Sequence, residues 1–278
     1  MTITQHQLEL SGIRTPVLDT GGSSEAVLFV HGNPGCGNDW LPLMERVAGF
    51  CRVVAPDMPG FGQADKPNDF EYTIAGYAAH ISTLVDSLSL RKVHLVLHDL
   101  GGPWALAWAA ANPDKVASVT LFNIGVLKGY RWHYLARIWR TPLIGELFQA
   151  TTTRFGFSLV LKHGNPRGLP REFIDSMYAN YDRQTRQAVL KFYRATNDLD
   201  AGAEELSSAL APLDLDALVI WGKADPYLPY RFAETQKDVF PRAEIVYLDD
   251  SGHWPFIDNP DAVNAAVIPF LQKCVGEG

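Results

Sequence analysis

Cysteine is scarce in this 278-residue chain. Cys36, Cys51 and Cys274 are odd in number and widely separated, which excludes a disulfide framework and fits no zinc-binding spacing. A reducing, cytoplasmic compartment is the expectation. Nor is there an apolar run approaching the roughly 20 residues that span a bilayer, so no membrane partner is expected. The first residues, Met1-Thr2-Ile3-Thr4-Gln5-His6, lack the basic start and apolar stretch of an export signal. Low-complexity tracts and internal repeats are missing too. Positive charge is in deficit: 24 Lys and Arg against 31 Asp and Glu leave a net charge of −7, which argues against nucleic acid. A small molecule remains as the partner class, with room for a homodimer.

What the chain does contain is a sequence of short, fully apolar runs punctuated by Gly, Pro and Asp. Gln7–Leu10 and Ile13–Asp19 alternate and read as an N-terminal hairpin. Ala26–Val30, Arg52–Ala55, Val93–His98, Ser118–Phe122, Ala217–Trp221 and Glu244–Leu248 read as buried strands. Helical spacing fills the intervals at Trp40–Ala48, Ile74–Leu88, near Arg231–Phe240 and after Pro260. Strands alternating with helices predict a mostly parallel sheet covered on both faces. Residues 125–211 break the pattern. They hold no β run but show helical spacing at Trp132–Trp139, Glu172–Tyr181 and Thr185–Tyr193, with 12 Lys and Arg against 8 Asp and Glu. Basic residues scattered among acids suit a solvated helical surface better than a phosphate site. The expected organisation is a core from 1–124, a helical insertion from 125–211, and the rest of the core from 212–278.

The most informative stretch is Val93–Leu106, a buried strand that stops at His98-Asp99 and turns through Gly101-Gly102 into an alanine-rich helix. Small residues after the turn let the helix approach closely, so that the Asp99 side chain projects at the carboxyl end of the sheet. On this stretch alone, Asp99 serves equally well as a helix cap or as a nucleophile. Two further strand ends carry polar groups to the same edge. Asp225 follows Ala217–Trp221, and His253 follows Glu244–Leu248. The chain order nucleophile, acid, histidine is that of a hydrolase triad.

With these residues in place the chain resembles the α/β-hydrolases over essentially its whole length, in the branch whose nucleophile is aspartate. The resemblance implies a mostly parallel sheet flanked by helices with residues 125–211 as a cap, and no metal or organic cofactor. Asp99 would attack an sp³ carbon to give an alkyl-enzyme ester, and His253, oriented by Asp225, would activate the water that cleaves it. His31-Gly32-Asn33-Pro34 resembles the family's oxyanion-hole loop, with the amides of Asn33 and Leu100 as donors. His98 is expected to bond nearby backbone.

Two families share this design. Epoxide hydrolases need proton donors for a departing oxygen; Lys191-Phe192-Tyr193-Arg194 resembles their tyrosine motif, and Trp132-His133-Tyr134 loosely matches the site of a first cap tyrosine. The implied donors are Tyr193 and Tyr134. Haloalkane dehalogenases need N–H donors for a halide. Asn33 matches their asparagine, whereas Leu100 stands where a tryptophan belongs, leaving Trp132 or Trp139 to substitute. The reading adopted is an epoxide hydrolase acting on a small apolar epoxide to give a vicinal diol. A dehalogenase acting on a haloalkane is the enzymatic alternative, and a ligand sensor with this fold is the non-enzymatic one. The apolar cap residues Phe155, Phe157, Leu159, Val160 and Met177 are candidates for the pocket wall.

Overall fold

The computed structural model describes residues 1–196 and 199–276. An eight-stranded sheet runs through its centre: β1 (Thr4–Leu10), β2 (Ile13–Asp19), β3 (Glu25–Val30), β4 (Arg52–Pro56), β5 (Lys92–His98), β6 (Val116–Phe122), β7 (Asp216–Gly222) and β8 (Glu244–Leu248). Their spatial order is β1-β2-β4-β3-β5-β6-β7-β8. The β1–β2 and β2–β4 pairs are antiparallel and the other five are parallel. The expected strands are all present, most of them longer by a residue or more where polar residues such as Lys92 and Asp216 extend the ladder.

The core strands are uniformly apolar because helices cover both faces. Val27, Leu28, Phe29 and Val30 of β3 and Leu95, Val96 and Leu97 of β5 are fully buried. Around the sheet lie α1 (Leu41–Val47), α2 (Ile74–Ser87) and α3 (Gly101–Ala111), followed after β6 by α4 (Tyr134–Arg140), α5 (Ile144–Thr151), α6 (Arg154–His163), α7 (Arg171–Asn180), α8 (Arg183–Ala195) and α9 (Leu199–Leu210). After β7 come α10 (Arg231–Glu234), α11 (Pro255–Asp258) and α12 (Pro260–Gly276). The expected helix near Arg231–Phe240 is broken: α10 gives way to a 3₁₀ turn over Thr235–Asp238. There the buried Gln236 side chain spends its amide on Val126 O and Phe232 O, and its carbonyl accepts the Val126 amide. Likewise Trp40 belongs to a 3₁₀ turn, Gly37–Trp40, ahead of α1.

The sheet order explains where a site can form. The chain leaves β3, crosses to β4 on one side, then returns to β5 on the other, so the loops after β3 and β5 diverge and open a crevice at their carboxyl ends. Helices α4–α9, inserted between β6 and β7, contribute the other wall of that crevice. No described helix is long and apolar enough to cross a membrane.

Candidate active site

Asp99 follows the last residue of β5 and has φ of +48°. A non-glycine residue in the left-handed region costs of order 1 kcal/mol or more, and such strain persists only where the surroundings over-determine it. Here the determinants are close contacts on both sides. A Cβ on Gly32 would stand 2.4 Å from both Cβ and Oδ1 of Asp99, and one on Gly101 would stand 2.3 Å from the Val30 carbonyl. The two glycines therefore let the β3 loop and the start of α3 close around the aspartate. Its Oδ1 accepts the Asn33 amide at 2.7 Å, and the Leu100 amide also supports the carboxylate. Burial still raises its pKa, with His253 and these amides opposing the rise.

His253 stands over the other carboxylate oxygen, its Nε2 3.7 Å from Asp99 Oδ2. Its Nδ1 donates to Asp225 Oδ2 at 2.7 Å. Burial pulls the pKa of His253 down, yet the charges of Asp225 and Asp99 prevail and leave it raised above 6.5. Asp225 is itself anchored: Oδ1 accepts the amides of Tyr227 at 2.7 Å and Leu228 at 3.2 Å. The His98 Nε2 donates to the His253 carbonyl at 2.8 Å, the backbone bond expected for it, and burial keeps its pKa well below 6.5.

One member of the constellation escaped the sequence reading. Asn123, just past β6 with φ of +49°, is fully buried. Its amide donates to Asp225 Oδ2 at 2.8 Å and its carbonyl accepts the Gly222 amide at 3.0 Å. The signal was a polar residue at a strand end, as at Asp99, and only the β6–β7 adjacency gives it meaning. Asn123→Ala would strand the Gly222 amide and leave alanine at positive φ. We expect a loss of about 3 kcal/mol, a melting point lower by roughly 10 °C, in thermal unfolding.

A cavity of about 390 Å³ opens above Asp99, bounded by Asn33, His253 and residues of the inserted helices, among them Trp139, Phe157 and Tyr193. Of the apolar residues expected in the wall, Phe157, Leu159 and Val160 line it; Phe155 is 73% exposed and Met177 packs elsewhere. Tyr193 is buried, and burial together with the Asp99 charge lifts its pKa well above 10, partly offset by Asn33. Arg140 donates to the carbonyls of Tyr193 and Thr196, tying α4 to the end of α8.

Tyr134 requires a correction. It is 45% exposed and does not line the cavity, because the first turn of α4 rotates it outward against Tyr227. Its neighbour His133 faces inward instead. As the cap of α4, His133 accepts the Ala136 amide through Nδ1 at 3.2 Å, which places the proton on Nε2. Burial drops its pKa to about 4, so the ring is a neutral N–H donor at neutral pH. Two further donors border the cavity: the Asn33 side-chain amide, which supports Tyr193, and the Trp139 indole, which has no hydrogen-bond partner among the described residues. The Trp132 indole is also unpartnered among them, but it lies outside this cavity.

A protein family described as alpha/beta hydrolase fold matches residues 25–260. A haloalkane dehalogenase of Mesorhizobium japonicum is 33% identical over 94% of this chain and 91% of its own length. A cis-3-alkyl-4-alkyloxetan-2-one decarboxylase of Xanthomonas campestris is 27% identical over 94% of this chain and 93% of its own. Among solved structures, a haloalkane dehalogenase of Bradyrhizobium elkani superposes with a TM-score of 0.87 at 26% identity, each chain fully covered.

Proposed function

Because the chain belongs to the alpha/beta hydrolase fold family, we propose that Asp99, His253 and Asp225 form a hydrolytic triad acting on an epoxide, with residues 125–211 as the cap over it. Asp99 Oδ1 is occupied by the Asn33 amide, so Oδ2 is the oxygen free to attack. Attack at a ring carbon breaks its C–O bond, and the departing oxygen takes a proton from Tyr193, assisted by the His133 Nε2–H. The ester that results keeps its carbonyl oxygen, Oδ1, on the Asn33 amide, with the Leu100 amide as the second donor to the group. Water deprotonated by His253 adds to the ester carbon, and the oxyanion forms where those amides point. Collapse expels the oxygen that was Asp99 Oδ2, which takes the imidazolium's proton to complete the vicinal diol, and the carboxylic acid left on Asp99 gives its proton back to the Tyr193 phenolate.

The observation that carries the epoxide assignment is the buried Tyr193 beside Asp99, protonated at neutral pH, where Leu100 offers no side-chain donor. The Xanthomonas relative, named for a four-membered cyclic substrate, agrees with a strained-ring electrophile. The second reading, halide displacement, is favoured by the Asn33 amide and the unpartnered Trp139 indole at the cavity and by the Mesorhizobium relative.

Product analysis with styrene oxide and 1-bromobutane separates them. We expect diol formation without bromide release, and Tyr193→Phe slower on styrene oxide by about 10²-fold, the usual contribution of a general acid. Bromide release unaffected by Tyr193→Phe would transfer the assignment to the dehalogenase. The raised His253 pKa gives a further expectation. Its neutral form is the base, so turnover falls as pH drops through that pKa. Part of the rise comes from the Asp99 charge, so Asp99→Asn should lower the His253 pKa in an NMR titration; an unchanged value would uncouple the two residues.

A further inference from the structure

The end of α6 is built into the loop that carries His253. Asn165, two residues past that helix, is 1% exposed and bonded on both sides of its amide. Its Nδ2 donates to the Leu161 carbonyl at 2.8 Å, one of the carbonyls that a helix end leaves without an intrahelical partner. Its Oδ1 accepts the Trp254 amide at 2.9 Å, and the carbonyl of Gly164 accepts the His253 amide at 2.9 Å. A carbonyl on one side and an N–H on the other fix which way the Asn165 amide faces. The two backbones also touch: a Cβ on Gly252 would stand 1.9 Å from the Gly164 carbonyl oxygen. The same helix end reaches the Asp225 loop, where the Tyr227 hydroxyl donates to the Val160 carbonyl at 3.1 Å and the Tyr227 amide to Asp225 Oδ1. Phe157, Leu159, Val160 and Leu161 of α6 border the cavity above Asp99. One helix is thus both a wall of the cavity and a support of the histidine.

We propose that Asn165 is a positioning residue for His253, fixing from α6 the backbone on which the imidazole stands. This rests on the triad reading above, and not on the choice between epoxide and haloalkane. The ring itself is tethered at Nδ1 to Asp225, and His98 holds the His253 carbonyl from the strand side. Gly164 and Asn165 hold the next two amides, those of His253 and Trp254, from the other side. Nε2 has to meet a water placed against the Asp99 ester carbon, and a misplacement of about 1 Å there can cost 10²-fold. Asn165→Ala strands the buried Trp254 amide and frees the loop to shift. The two halves of the reaction feel this unequally. Attack by Asp99 uses no base, so ester formation is spared, whereas ester hydrolysis depends on where Nε2 stands.

The test is transient kinetics of Asn165→Ala with styrene oxide, or with 1-bromobutane if that is what reacts, the ester being counted by rapid quench and intact mass spectrometry. Ester should form at the wild-type rate and decay about 10- to 100-fold more slowly. Hydrolysis then limits turnover, so kcat and KM fall together and kcat/KM is kept. A role confined to stability gives another pattern: a smaller burst of ester with its decay rate and KM unchanged. The decay is first order and independent of how much protein is folded, so an unchanged rate overturns the proposal. Asn165→Asp keeps an acceptor for the Trp254 amide and should recover most of the hydrolysis rate. Equal slowing in both variants would place the effect in the Leu161 bond and refute a role through His253. If the wild type forms no ester with either compound, the triad reading has failed while the positioning claim is still readable. The ¹H NMR signal of the His253 Nδ1 proton should then move upfield and broaden in Asn165→Ala but not in Asn165→Asp. A signal unmoved in Asn165→Ala overturns the proposal.

Discussion

Asp99→Ala should reduce diol formation by at least about 10⁴-fold, to the background of the uncatalysed reaction, in a protein that still unfolds cooperatively. The expectation follows from what the side chain does: among the described residues, no other carboxylate stands between the Asn33 amide and His253 Nε2. Alanine is strained at φ of +48°, so Asp99→Asn is the companion variant, because asparagine tolerates the left-handed region and preserves the acceptor for the Asn33 amide. The Asp99 pKa is raised by burial, so ionisation in the folded state costs stability as pH rises through that value. The asparagine side chain is neutral, and the Asp99→Asn variant should melt at or above the wild-type temperature near pH 7. Single turnover of the wild type in ¹⁸O-labelled water supplies an independent check. The label should enter the Asp99 carboxylate and leave the first diol unlabelled. Labelled diol from the first turnover, or diol formation retained in Asp99→Asn, would remove Asp99 from the nucleophile's role.

His253→Gln should separate the two halves of the reaction. Attack by Asp99 needs no base, whereas hydrolysis of the ester does. Styrene oxide should therefore alkylate the variant once per molecule and then stop, with steady-state turnover lower by roughly 10³–10⁴-fold, as when a catalytic base is lost. Intact mass spectrometry should show the protein heavier by one epoxide, and peptide mapping should put the adduct on Asp99. Glutamine cannot take the water's proton, and it also forfeits the Nδ1–H···Asp225 bond. An adduct from a bromoalkane but none from styrene oxide would select the dehalogenase reading and make Asn33 and Trp139 the next residues to change. If the variant turns over freely, His253 is not the base.

Much of this site was legible in the chain because its parts sit at strand ends, where an apolar run must stop and a polar residue is conspicuous. Asp99 after Leu95-Val96-Leu97-His98, Asp225 after Trp221-Gly222 and His253 before Trp254 all announce themselves in this way. Their order and their common edge follow from the strand–helix alternation, since parallel strands present every carboxyl end on one side. That helices alone fill the chain between β6 and β7 was legible for the related reason that β periodicity lapses there.

Where the reading failed, the deciding quantity was a rotation or a packing distance. Whether Tyr134 or His133 faces Asp99 depends on a single residue step, about 100° around a helix, at the start of α4. Sequence spacing does not specify that angle; the cap bond from Ala136 to His133 and the contacts of α4 with α8 do. Asn123 was invisible as a partner of Asp225 because the 102 positions that separate them are bridged only by the β6–β7 pairing. The sequence by itself determined the strands, their order along the chain and the three polar residues that end them at one edge, because those are local consequences of hydrophobic runs and of what stops them. Tertiary structure alone decided which side chains of the inserted helices border the cavity and how much room lies between them, because both are set by the relative placement of helices that share no local signal.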